Sequence, residues 1–215
     1  MARLPFRLAL LALGALAPAA IAAAREEVVT ERAGSNWRAV ATQDDRDRLQ
    51  RWRNSWVDAL AQANRSNAAE IVAGGALFEP DAALPGAAPP AGDYACRTFK
   101  LGRTPPGGSA SGTLDYVAYP AFRCRIAARG GQLQFTKLDG SQRPAGTIFP
   151  DNGRRMIFLG TLLLGDEARA LRYSRDRERD MIGIVERVGP NRWRLVFPRP
   201  HFESLLDVIE LTPSR

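Results

Sequence analysis

Histidine, cysteine and lysine are nearly missing from these 215 residues: there is one His, two Cys, and only two lysines, Lys100 and Lys137, among 30 basic residues. One His and two Cys fall short of the four ligands a dedicated zinc site usually takes, so neither a metal nor a cofactor is expected. The cysteines are too far apart for a C-x-x-C redox pair. There is no G-x-S-x-G nucleophile elbow, no internal repeat, and no apolar run of the roughly 20 residues that a spanning helix needs. No nucleic-acid-binding module gathers the arginines on one element. These absences leave zinc, redox, serine-hydrolase and nucleic-acid functions without sequence support.

Hydrophobic residues at 45% and charged residues at 25% are ordinary globular proportions, so the chain can build a core. The formal charge is +7, and two of those charges, Arg3 and Arg7, belong to the start of the chain. Residues 1–24 read as a secretory leader. Arg3 and Arg7 form its charged start, Leu8 to Ala17 its apolar stretch, and Ala22-Ala23-Ala24 a small-residue cleavage site after Pro18. Export implies a periplasmic or secreted protein. In an oxidising compartment the two cysteines, Cys96 and Cys124, are expected to form a structural disulfide.

The remainder divides into an N-terminal arm with helices (25–75), a Pro/Ala-rich linker (76–92) and an antiparallel β domain (93–215). The spacing predicts a helix over 42–63, opened by Thr42 or Asp44, with Leu49, Trp52, Trp56, Val57 and Leu60 on one apolar stripe. A polar break at 64–67 and a short helix over 68–73 should follow, ended by Gly74-Gly75. Pro80, Pro85, Pro89 and Pro90 mark the linker as a surface segment. From Gly92 the period changes to two, and strands are predicted at 93–101, 114–126, 132–138, 145–149, 155–164, 181–188, 192–197 and 205–211. The segment 156–163 is almost continuously apolar, as in a strand covered on both faces. In 192–197, Trp193, Leu195 and Phe197 alternate with Arg192 and Arg194. The fold expected is α+β: a helix packed on an antiparallel, roughly eight-stranded barrel of lipocalin-like or avidin-like architecture, or a sandwich.

Several segments also carry a family resemblance. Gly92-Asp93-Tyr94-x-Cys96, the run from Leu114 to Cys124, Gly140-Ser141-Gln142-Arg143-Pro144, Phe158-Leu159-Gly160-Thr161 and the run from Trp193 to Pro198 resemble the bacterial family called domain of unknown function 4893. The resemblance implies a secreted Gram-negative protein and assigns no activity or catalytic residue.

Candidate site residues follow from charge and residue type. Between 94 and 165 the basic residues outnumber the acidic ones strongly, and Ser141, Gln142 and Arg143 place a hydroxyl, an amide and a guanidinium on one loop. With Arg123 they are the expected contacts for an anionic group, because Arg captures carboxylate or phosphate with two parallel bonds. His201 is the only imidazole, and Ser204 and Asp207 lie close to it along the chain, but a triad is assembled in space. Asp115, Asp166, Glu167 and Asp207 are candidates for paired-carboxylate chemistry on a polysaccharide. The segment 166–180 balances its charges and reads as a self-paired loop. The function expected is non-catalytic binding of an anionic or amphipathic envelope ligand, or of a periplasmic protein. The alternatives are a carboxylate-dependent hydrolase and a structural envelope protein whose tryptophan stripe docks a partner.

Overall fold

Alternating side chains, with Gly, Pro, Asn and Asp between the runs, produce eight strands in the computed structural model, which describes residues 36–104 and 114–214. The predicted leader, the first part of the arm and most of the loop after the first strand lie outside the described residues. The strands are β1 (Gly92–Arg103), β2 (Tyr116–Arg129), β3 (Gln132–Lys137), β4 (Gln142–Pro150), β5 (Arg155–Leu164), β6 (Asp180–Gly189), β7 (Arg192–Pro198) and β8 (Ser204–Pro213). Each pairs antiparallel with the next, and β1 pairs with β8, so the sheet closes into a barrel. Closure leaves no free sheet edge, and it settles barrel over sandwich.

The inner face is packed with aromatic rings. Phe158 meets Phe135 and Phe197 edge to face, with centroids 6.0 and 5.5 Å apart. Room for its ring comes from Gly146 and Gly160, paired across β4 and β5. A Cβ on Gly160 would lie 2.3 Å from the Ala145 carbonyl oxygen and 2.5 Å from Phe158 Cζ. Cys96 on β1 and Cys124 on β2 form the expected disulfide between neighbouring strands, with Cα atoms 5.8 Å apart.

The outer face of β1 and β5–β8 is apolar too, and helices cover it. They are α1 (Trp37–Val40), α2 (Gln43–Gln50) and α3 (Trp52–Gly74). Thr42 caps α2 by accepting from the Asp45 amide at 3.2 Å. Trp56, Ala59, Ala63 and Ile71 of α3 join Phe99, Leu101, Ile184 and Val208 of the barrel in one buried cluster. The double cover accounts for the apolar run of β5.

Two helix expectations change. The single helix over 42–63 is two helices meeting at Arg51, and the polar break expected at 64–67 narrows to Asn67, whose non-helical backbone (φ −135°, ψ 35°) kinks α3 between two helical segments. The buried residues of α3 keep helical spacing across that stretch, so packing against the barrel outweighs the weak local propensity of Asn and Ser. Within the expected arm, Trp37 lies in a helical turn whose indole donates to Asp151 at 2.8 Å.

The proline-rich segment is bound to the barrel rather than free on its surface. Leu84 bridges to Arg187, the Gly86 amide donates to Gly153, and the Tyr94 hydroxyl donates to the Pro90 carbonyl at 2.7 Å. Ala87 and Pro89 are buried. The segment therefore crosses the barrel end that holds the β4–β5 and β6–β7 turns. Arg194, whose alternation pointed outward, is also fully buried. It pairs with Glu186 at 2.6 Å and donates to the carbonyls of Ala76, Leu77, Glu79 and Pro80 beneath α3.

Candidate functional site

With one end crossed by the proline-rich segment and the middle filled by phenylalanines, the space inside the barrel lies at the other end. The β3–β4 turn, the β5–β6 loop and the β7–β8 loop surround it. Two adjoining recesses open there and share Thr98, Lys100, Lys137 and Gln142. The floor of the first is apolar, formed by Leu162, Met181, Phe197 and Ile209.

Alternation in β1 turns Lys100 inward, where it is almost wholly buried. Its Nζ lies 2.9 Å from Glu203 Oε2, 3.0 Å from Gln142 Oε1 and 3.6 Å from Asp207 Oδ2. Burial opposes that charge, but Asp207 and Glu203 outweigh it and hold the ammonium above the ordinary lysine value. Burial pushes the Asp207 carboxyl up, against the pull of Lys100 and of the Ser204 hydroxyl that donates to it.

Lys137, at the end of β3, has no carboxylate partner among the described residues. Its Nζ donates to the backbone carbonyls of Asp139 (2.7 Å) and Gln142 (3.0 Å) and lies 3.8 Å from the Phe122 ring centroid. Burial, aided by Arg143 and Lys100 and opposed by Asp139, pushes its ammonium down to about 8.

The β7–β8 loop covers part of the mouth. Pro200, His201 and Phe202 line the first recess, and Glu203, in a left-handed backbone conformation (φ 69°), holds its carboxylate over Lys100. His201 turns toward Asp44, 4.0 Å from Nε2, and burial with Arg48 lowers its pKa. Ser204 bonds Asp207, so the three residues do not assemble as a nucleophile, base and orienting acid.

The residues expected from sequence separate. Ser141 lines the second recess and Gln142 lines both. Arg143 lies on the outer side of β4, where its Nη2 donates to the carbonyls of Leu164 (3.0 Å), Gly165 (3.3 Å) and Glu167 (2.6 Å). Arg123 is on the surface, paired with Asp139 at 3.0 Å. Of the candidate acids, Asp207 is at the mouth, Asp115 pairs with Arg103 and Arg65, Glu167 pairs with Arg179, and Asp166 is exposed. Sequence reasoning missed Lys100, Lys137 and Glu203 as a group. The available signal was the rarity of lysine itself.

Among the described residues no helix is long and apolar enough to cross a membrane, and no group of three or more His, Cys, Asp or Glu is placed to hold a metal. No curated protein and no solved structure matches the chain. The family model described as Domain of unknown function (DUF4893) matches residues 37–211, nearly the whole helix-and-barrel unit, and the chain belongs to that family.

Proposed function

We propose that this protein is an exported, non-catalytic binding module that takes a small amphipathic ligand, with an acceptor or anionic head group, at the open end of its barrel. The observation that carries this reading is the make-up of the mouth: an apolar floor beneath polar groups that include two amines, a carboxamide, the Arg179 guanidinium and the Asp180 and Asp207 carboxylates, in a barrel otherwise filled with side chains. Concave, mostly apolar sites with a few convergent polar groups are where small ligands bind. The disulfide and the leader-like residues 1–24, which lie outside the described residues, support an extracytoplasmic setting. Ser141 and Gln142 contact the ligand in this reading, while Arg123 and Arg143 face away and hold the surrounding loops.

The test is native mass spectrometry of protein recovered from the periplasm, looking for a co-purifying small molecule. Gln142→Ala and Lys100→Met should lose it, the first while keeping the thermal transition and the second with a lowered one, because Asp207 is then left buried without its cation. The pair Arg123→Ala and Arg143→Ala should retain it. Retention by the first two variants and loss by the arginine pair would move the site to the basic outer face.

A second reading, hydrolysis by paired carboxylates, is favoured by one observation. Asp207 and Glu203 flank Lys100 in different settings, one buried with its carboxyl pushed up and the other at the rim. Sugar release from cell-wall polysaccharide, abolished by Asp207→Asn and by Glu203→Gln, would establish it. The docking role for the tryptophan stripe has less support, because Trp56 is completely buried and donates to the Phe78 carbonyl.

A further inference from the structure

The chain uses arginine for nearly every positive charge, yet its only two lysines, distant in sequence, bond the same residue inside the same recess. Lys100 meets the side-chain oxygen of Gln142, and Lys137 meets its backbone oxygen, each at 3.0 Å. Elsewhere a guanidinium serves. The Arg179 guanidinium lines the first recess too, but the two groups that meet at Gln142 are amines, and the chemical difference is that an amine can lose its proton and act as a nucleophile, whereas a guanidinium in a protein cannot.

The two amines are not equivalent. Lys100 is held as a cation by two carboxylates. Among the described residues, Lys137 faces backbone carbonyls, a phenylalanine ring and, at longer range, the charges of Lys100, Arg143 and Asp139. Burial beside a second cation is a recognised way to activate a lysine nucleophile.

We propose that Lys137 is a carbonyl-capturing amine, condensing reversibly with an aldehyde or ketone group of an amphipathic ligand held in the barrel mouth. This rests on the mouth being a ligand site, the reading given above. The neutral Nζ attacks the carbonyl carbon and forms a C–N bond. The nitrogen then gives up both of its protons, the carbonyl oxygen leaves as water, and a C=N bond remains. Amine plus carbonyl yields imine plus water, with no oxidant or reductant. The apolar floor would hold the ligand's tail and keep water from the C=N bond, while Lys100 offers a fixed positive charge to a carboxylate next to the carbonyl, as in a 2-oxo acid.

The test uses the full mature protein with hexanal and with 2-oxohexanoate as carbonyl probes, sodium cyanoborohydride to reduce any imine, and peptide mass spectrometry. Because the chain has only two lysines, the assignment is direct. Lys137 should be alkylated at least about tenfold faster than Lys100 at neutral pH, since more of it is unprotonated. Hexanoate, which has a similar tail and no condensable carbonyl, should bind in calorimetry and protect Lys137. Lys137→Gln should leave only the slow labelling of Lys100 and that of the N-terminal amine, with the circular dichroism spectrum unchanged. Hexanoate binding with Lys100 and Lys137 labelled equally, or with Lys137 unlabelled, overturns the imine and leaves the mouth as a binding site. A label on Lys137 without hexanoate binding or protection overturns ligand capture at the mouth. Neither label nor binding overturns both readings for amphipathic ligands of this length.

Discussion

Replacing Arg194 with alanine should be among the most damaging single changes outside the aromatic core. The residue is fully buried, its Nη2 lies 2.6 Å from Glu186, its Cζ stands 4.5 Å from the Trp56 ring centroid, and it satisfies four carbonyls just beyond α3. The change strands the Glu186 carboxylate, itself only 5% exposed, and leaves those carbonyls without their donor. Removing one partner of a buried pair costs about 3–5 kcal/mol. For a domain of this size that corresponds to a melting temperature lower by about 6–20 °C.

Urea unfolding followed by tryptophan fluorescence gives the loss directly, and an unchanged m-value would show that the unfolding reaction is the same one. Arg192 supplies the control, because its pair with Glu210 at 2.6 Å is partly exposed and Arg192→Ala should cost less than about 1 kcal/mol. The double variant Arg194→Met with Glu186→Gln should be less damaged than the sum of its singles by about 1 kcal/mol or more, because no charge is then left buried alone. A loss below about 1 kcal/mol for Arg194→Ala would refute the claim that this side chain fastens the helix to the barrel.

Three further outcomes follow from the packing and the charges. Gly160→Ala should destabilise by about 1–3 kcal/mol, measured by thermal melting, because its methyl has no room between the Ala145 carbonyl and the Phe158 ring. Replacing both Cys96 and Cys124 with alanine should cost about 3.5 kcal/mol in the chain-entropy account of a loop this long, and adding reductant to the wild type should reproduce the loss in urea melts. Although burial works against its charge, the Asp151 carboxyl is held below its ordinary value of 3.8 by bonds from Arg155 and the Trp37 indole and by the charge of Arg38. A depressed carboxylate stabilises the fold above its unfolded pKa, and that contribution is lost as pH falls through the lower folded value. The Trp37 anchor should therefore hold at pH 4 and release only in stronger acid, with Asp151→Asn abolishing that acid dependence of tryptophan emission.

All eight strands could be placed from sequence to within a few residues because the information is local. Alternation is set by neighbouring side chains, and each turn carries its own Gly, Pro or Asn. The 155–164 strand matched in both bounds, and its apolar run reported a double cover before any helix had been placed over it. The disulfide was equally readable, since two cysteines allow one pairing. The site was less so. Ser141 and Gln142, singled out on their loop, line the recesses, whereas Arg143 on the same loop turns outward because adjacent strand residues point to opposite faces. The residues joining them, Lys100, Lys137, Glu203 and Asp207, come from three other segments.

The sequence by itself determined the strands, the disulfide pair and the presence of an apolar helix face. Only the tertiary structure decided that β1 pairs with β8, that α3 continues past Asn64 to Gly74 through a kink at Asn67, and that the proline-rich segment crosses one end of the barrel. It also decided that Arg194, polar by pattern, lies at the centre of the helix–barrel contact, and that both lysines share one recess. The physical reason is the range of the interactions. A strand's period states which side chains share a face, but what that face meets depends on chain returning from a hundred residues away, and only that encounter makes an arginine buried or two distant amines neighbours.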